Sequence, residues 1–351
     1  MQVDLAADFL DIADFGYDDF FAASFKNEAE SGELPARVVG HNRHYYEICC
    51  EKGRISAKMS GAIRYASVLK SELPAVGDWV AVSIRQDKGY IRRLLPRKNY
   101  FSRRSAGGVV DEQVVAANID IAFLVMSLDE NYNLKRLQRY LSIAAAARIN
   151  PVILLTKSDI CENLDEMVGE VAAISGKVPV HAVSSFSKES FMLVNSLIKP
   201  RETAVFVGSS GVGKSTLVNL LLGEERLATG KVSAATNKGQ HTTSARELIL
   251  LKSGGIVIDT PGMRELQMWQ DEELNGFGQI EELAKMCRFA DCLHETEPDC
   301  AVKQAIEEGT LSAELFEMWK KQQAETRELR LQKERSLKIL ETRRAKRKKG
   351  K

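Results

Sequence analysis

TAVFVGSSGVGKSTLVNLLLG, residues 203–223, joins an apolar run to a helical run through a glycine-rich turn. Gly208, Ser209, Ser210, Gly211, Val212, Gly213, Lys214 and Ser215 match G-x-x-x-x-G-K-[ST], and the strand before and helix after supply the context that gives this pattern meaning. The glycines let backbone N–H groups turn inward around phosphates, and the helix N-terminus adds its dipole. Lys214 is expected to reach the β- and γ-phosphates, the Ser215 hydroxyl to bind Mg²⁺, and Thr216 to complete the phosphate-binding set.

Two motifs decide between adenine and guanine. Thr156-Lys157-Ser158-Asp159 follows the apolar strand PVILL and departs from N-K-x-D only by Thr for Asn. A carboxylate at Asp159 can accept from both N1–H and the 2-amino group of guanine. Adenine offers neither donor and would leave it unpaired, a loss of about 1–3 kcal/mol. Lys157 is expected along the base face, and Ser184, at the end of the next strand, in the loop that supports guanine O6. VIDTPG, residues 257–262, ends a strand in D-x-x-G: Asp259 would hold Mg²⁺ through water, and the Gly262 N–H would sense the γ-phosphate. An ATPase is the reading these motifs argue against.

The order of these motifs is permuted. The base-reading motif precedes the phosphate loop, which precedes D-x-x-G. Between the last two lies TNKGQHTT, residues 236–243, where a first switch belongs. Either Thr242 or Thr243 is expected to coordinate Mg²⁺ and the γ-phosphate. Met263 follows D-x-x-G where a Gln would hold water, so His241 is the candidate that orients or deprotonates the attacking water, its alternative being an ordinary surface histidine.

Cys287-x₄-Cys292-x-His294-x₅-Cys300 places three thiols and an imidazole within fourteen residues. That is a closed Cys₃His set suited to one structural Zn²⁺, with no open position for catalysis. In a reducing compartment such a cluster favours metal over disulfides.

The remaining sequence sets the surroundings. The chain has 351 residues, 44% hydrophobic and 7% aromatic, with a formal net charge of +1. No run approaches the roughly 18 apolar residues of a membrane helix, and the start, MQVDLAADFLDIADF, lacks a basic leader. A cytoplasmic monomer without membrane contact is expected. The net charge hides segregation: residues 1–32 hold eight carboxylates against one lysine, and residues 318–351 hold fourteen Lys/Arg against four Glu. Each end reads as a solvated arm or an interaction tail. Residues 36–94 give five short β-rich runs, as in a small barrel of the OB type. Arg92, Arg93, Arg97, Lys98, Arg103 and Arg104 follow with Tyr100 and Phe101, cations and stacking faces suited to RNA, or else a solvated linker. From Ile119 strands alternate with helices, which means a parallel sheet covered on both faces.

With PAVGDWV at 74–80, SRRSAG, TKSD, GSSGVGKSTLVNLLLG, KGQHTT, DTPGMREL and the Cys/His set followed by AVKQAIEEGTL, residues 33–320 resemble the bacterial ribosome small-subunit-dependent GTPase A family. The resemblance implies an OB-fold domain, a circularly permuted GTPase domain and a zinc domain. It implies binding to the small (30S) ribosomal subunit and its rRNA late in maturation, with slow GTP hydrolysis to GDP stimulated by the subunit. The family's switch-loop histidine falls on His241. The expected division is an acidic arm at 1–32, an RNA-binding OB-fold at 33–100, a basic linker at 101–118, the permuted GTPase at 119–278 and a zinc domain with a basic helix and tail at 279–351. A nucleotide-gated rRNA-binding module with incidental hydrolysis is the alternative.

Overall fold

A computed structural model of the chain describes residues 11–42, 45–67, 69–104, 112–223, 246–259, 278–289, 292–295 and 297–313, with scattered helical positions between 316 and 342. It comprises two compact units, the second formed mainly by residues 270–351.

In the first unit the uninterrupted apolar runs become fully buried strands, β8 (Ile121–Ser127) and β11 (Thr203–Val207), as a sheet covered on both faces requires. With β9 (Asn150–Thr156), β10 (Val180–Val183) and β13 (Ile256–Asp259) they form a parallel sheet in the order β10-β9-β8-β11-β13. β12 (Arg246–Leu250) adds antiparallel to β13. Helices α3 (Leu134–Ala146), α4 (Leu164–Ser175), α5 (Lys188–Ser196) and α6 (Lys214–Leu222) connect the strands. α3 ends at Ala146, and Arg148 enters the left-handed region and turns the chain toward β9.

The expected barrel is present. β1 (Leu34–His41), β2 (Tyr46–Cys50), β3 (Gly53–Met59), β4 (Trp79–Arg85) and β5 (Lys88–Leu94) pair in the order β1-β2-β3-β5-β4, β4 pairs back to β1, and the short helix α2 (Gly61–Ala66) follows β3. Val38, Ile48, Val80, Val82 and Ile91 fill its interior. β1 is longer than the barrel needs: Leu34–Arg37 pair with β4, and Gly40 and His41 pair with Glu247 and Arg246 of β12. Among the described residues, barrel and nucleotide sheet therefore share one continuous sheet of eleven strands.

Two expectations change. The stretch 101–118, read as a linker, carries a hairpin of β6 (Tyr100–Arg104) and β7 (Glu112–Ala117) with Phe101 and Val115 buried. The described part of the acidic arm is not a loose tail either. A short 3₁₀ turn at Ile12–Phe15 and α1 (Asp19–Glu28), capped by Asp18, bring Phe15 and Phe21 into the core. Phe21 and Tyr17 pack on Trp79, with ring centroids at 5.6 and 4.8 Å. Charge counting missed this because the apolar residues lie between the carboxylates. Beneath them Arg37, 2% exposed, donates to the carbonyls of Phe15, Gly77 and Asn118 and to the Thr203 hydroxyl, the last at 2.9 Å.

In the second unit α7 (Gly278–Lys285) and α8 (Ala301–Glu307) enclose a small core of Ile280, Val302, Ala305, Leu311 and Phe316. Among the described residues no helix is long and apolar enough to cross a membrane.

Candidate nucleotide site and metal centre

The carboxyl ends of β9, β10, β11 and β13 share one edge of the parallel sheet, where open α/β sheets place their ligands. Gly208 leaves β11 against the neighbouring strand: a Cβ there would sit 2.3 Å from the Val125 carbonyl oxygen, so only glycine lets the turn begin. Gly211 and Gly213 adopt φ of +81° and +91°, and α6 starts at Lys214. Ser210 and Gly211 are exposed at the lip, Ser209, Lys214, Ser215 and Thr216 are half-buried, and Val212 anchors the turn in the core. The Lys214 ammonium donates to the carbonyls of Gly208 (2.7 Å) and Ser209, folded over the loop that it would have to leave to reach a phosphate.

Thr156, the departure from the usual asparagine, is 2% exposed, and its hydroxyl donates to the Val212 carbonyl at 2.7 Å. It ties the 156–159 segment to the glycine-rich loop of 208–215. Lys157 follows in the left-handed region, φ +63°, and its ammonium lies 2.5 Å from Asp129, the first acid after β8. Burial pushes the Asp129 carboxyl up, but hydrogen bonds from Lys157, the Ser127 hydroxyl and the Asn131 N–H outweigh it and hold it down at about 2. Asp159 stands exposed in a 3₁₀ turn, Ser158–Ile160, at the same edge. Ser184 is buried, its N–H donating to the Ser190 hydroxyl and its own hydroxyl accepting from the Phe186 N–H. Asp259 ends β13, directly opposite Glu247. His241, Thr242, Thr243 and Gly262, with the rest of 236–243 and 260–262, lie outside the described residues.

Sequence reading missed two groups beside the site. Asp129 holds Lys157, and Arg136 of α3 donates to the Ser209 hydroxyl at 2.5 Å. No spacing pattern marks either, because each meets its partner only through the sheet.

The connector cations are largely engaged inside the unit. Arg97 grips the fully buried Asp78 bidentately at 2.7 Å on each oxygen, Lys98 pairs with Asp18, and Arg93 pairs with Glu30 and Glu33. PAVGDWV is thus a folding element: Asp78 receives Arg97 and the Ala75 N–H, and a Cβ on Gly77 would lie 2.2 Å from the Ala117 carbonyl oxygen.

In the second unit the ligand atoms of Cys287, Cys292, His294 and Cys300 all lie within 4.8 Å of one another. Cys287 Sγ is 3.8 Å from Cys300 Sγ and 3.5 Å from His294 Nδ1. A tetrahedral ion with Zn–S bonds of about 2.3 Å would separate its sulfur ligands by about 3.8 Å, so the four groups are spaced as one ion requires. His294, φ +62°, is turned inward by its left-handed backbone and is 5% exposed. The cluster can hold a metal ion, and none of its cysteines is in a disulfide.

Comparison with known proteins agrees with this architecture. A model of the RsgA GTPase family matches residues 94–269. A small ribosomal subunit biogenesis GTPase RsgA of Opitutus terrae is 41% identical over 327 residues, covering 90% of this chain and 89% of that protein. The protein named small ribosomal subunit biogenesis GTPase RsgA 2 of Lactiplantibacillus plantarum is 41% identical over 297 residues, 84% of each. Among solved structures, YjeQ from Thermotoga maritima superposes with a TM-score of 0.55 at 25% identity, covering 85% of this chain and 98% of that one. YloQ, a circularly permuted GTPase, gives 0.53 at 26%, covering 86% and 97%.

Proposed function

This chain belongs to the RsgA GTPase family and is a GTP hydrolase, and from that premise we propose that it works on the small ribosomal subunit late in its maturation, hydrolysing GTP faster when the subunit is bound. The observation that carries this is the strand–loop–helix of residues 203–222 placed beside Thr156–Asp159 and Asp259 at one sheet edge.

Asp159 reads the guanine N1–H and 2-amino group, Lys157 covers the base, and the Ser184 loop supports O6. The amides of Gly208 to Thr216 and the Lys214 ammonium take the phosphate charge. Ser215, Asp259 and one of Thr242 or Thr243 would hold Mg²⁺, which supplies charge neutralisation on the β- and γ-oxygens when bound. His241 orients the attacking water or accepts its proton, and Gly262 reports the γ-phosphate. Cys287, Cys292, His294 and Cys300 hold one Zn²⁺, which would contribute folding energy to the second unit. The barrel, the hairpin and the basic tail contact rRNA.

The test is GTP turnover with and without added small subunits, alongside the affinity for a fluorescent GDP. Wild type should be strongly stimulated, Lys214→Ala inactive, and His241→Ala slow with nucleotide affinity intact. Turnover indifferent to subunits would remove the ribosomal reading. Turnover retained by Lys214→Ala would remove the phosphate loop from the mechanism.

A further inference from the structure

Where β1 passes from barrel to nucleotide sheet, a cavity of about 60 Å³ opens, lined in part by His41, Tyr46, Gln113 and Arg246. His41 and Arg246 are paired across the β1–β12 ladder, so their side chains leave the sheet on the same side. The His41 ring stacks on Tyr46, centroids 4.4 Å apart and planes 4° from parallel, which fixes the imidazole at the wall. Across the β6–β7 hairpin Arg103 is in register with Gln113, whose side-chain oxygen accepts from its Nε at 3.3 Å.

Arg103 differs from its neighbours in the connector. Arg93, Arg97 and Lys98 each have a carboxylate partner. His41, Arg103 and Arg246 have no ion-pair partner among the described residues. Burial, and after it the charge of Arg103, lowers Arg246 to about 10. Burial likewise lowers His41, followed by the charge of Arg246. Two guanidinium groups are therefore gathered at a partly desolvated pocket beside an imidazole that their charge disfavours protonating, and neither guanidinium has an ion-pair partner among the described residues. Such an arrangement is stabilised when an anion enters.

We propose that His41, Arg103 and Arg246 form a phosphate-binding site at the junction of barrel and nucleotide sheet. The ligand is a phosphate group, carried either by an RNA backbone or as a free phosphate. A guanidinium fork suits its oxygens, and the cavity is too small for a whole nucleotide. The site also touches the hydrolytic machinery: Arg246 begins β12, and its neighbour Glu247 faces Asp259 across the β12–β13 ladder. A phosphate held here engages the strand paired with the proposed magnesium carboxylate. The RNA form of this inference rests on the ribosomal reading above; the site itself does not.

The test compares wild type with Arg246→Gln, Arg103→Gln and the charge-keeping Arg246→Lys, each checked for an unchanged melting temperature and fluorescent-GDP affinity. A labelled single-stranded RNA of about twelve nucleotides is titrated at several salt concentrations. Separately, inorganic phosphate is titrated while the His41 ring resonances are followed by NMR. For an RNA phosphate, Arg246→Gln should bind about tenfold more weakly with a salt slope lower by about 0.7, Arg246→Lys should recover part of the loss, and stimulation by small subunits should fall. For free phosphate, the His41 resonances of wild type should shift at millimolar phosphate, those of Arg246→Gln should not, and RNA binding should match between them. Folded Arg246→Gln and Arg103→Gln proteins with unchanged RNA affinity, salt slope and phosphate response would overturn the site. Wild type that binds no RNA and gains nothing from subunits would instead count against the ribosomal reading.

Discussion

At the residue scale, Lys157 and Asp129 show how a site can be held ready. The pair keeps the lysine at the sheet edge, and its carboxylate is ionised well below the usual range. A folded-state value below the unfolded one means the pair's contribution is fully present above an unfolded pKa of about 3.9. It is lost as pH falls toward the folded value of about 2. Asp129→Asn should therefore be less stable than wild type at pH 5, with the difference closing between about pH 4 and pH 2, as read by urea unfolding at each pH. Thr156 teaches a second lesson. Its hydroxyl reaches the Val212 carbonyl, so a threonine joins the 156–159 segment to the 208–215 loop.

At the scale of elements, the phosphate loop, the alternating sheet and the Cys/His set were legible because each is written in short spacings: glycines at a turn, apolar runs of strand length, ligands within fourteen residues. The N-terminal helix was not. The eight-to-one excess of acid over base in residues 1–32 pointed to a solvated arm, while Phe15 and Phe21 decided where the segment packs. Arg37 is equally hidden, since its partners Phe15, Gly77, Asn118 and Thr203 come from four separate parts of the chain. Arg97 carried the wrong implication for the same reason, a cation suited to RNA until Asp78 is seen to hold it. Phe21→Ala should destabilise the first unit by about 3–5 kcal/mol, because a ring 2% exposed against Trp79 leaves a cavity that the barrel strands cannot close. Denaturant unfolding followed by tryptophan fluorescence reads this, and a loss under 1 kcal/mol would mean that α1 is dispensable.

At the scale of the whole molecule, the two units depend on different forces. The first buries extended strand cores, whereas the second, among its described residues, has five buried apolar side chains beside four potential metal ligands. Strong chelation should release about one zinc per chain and unfold the second unit while GDP binding by the first persists. Helical circular dichroism together with nucleotide affinity would detect both outcomes, and no loss of helix on complete metal removal would contradict the dependence. The strand shared between barrel and nucleotide sheet has a consequence for anyone dividing the protein. β12 meets β1 through backbone hydrogen bonds, so a fragment starting after residue 100 would present a raw sheet margin to solvent. Such a fragment should self-associate in sedimentation experiments where the intact chain does not: the barrel serves the GTPase as its selvedge, the finished border that keeps one sheet from being stitched to the next.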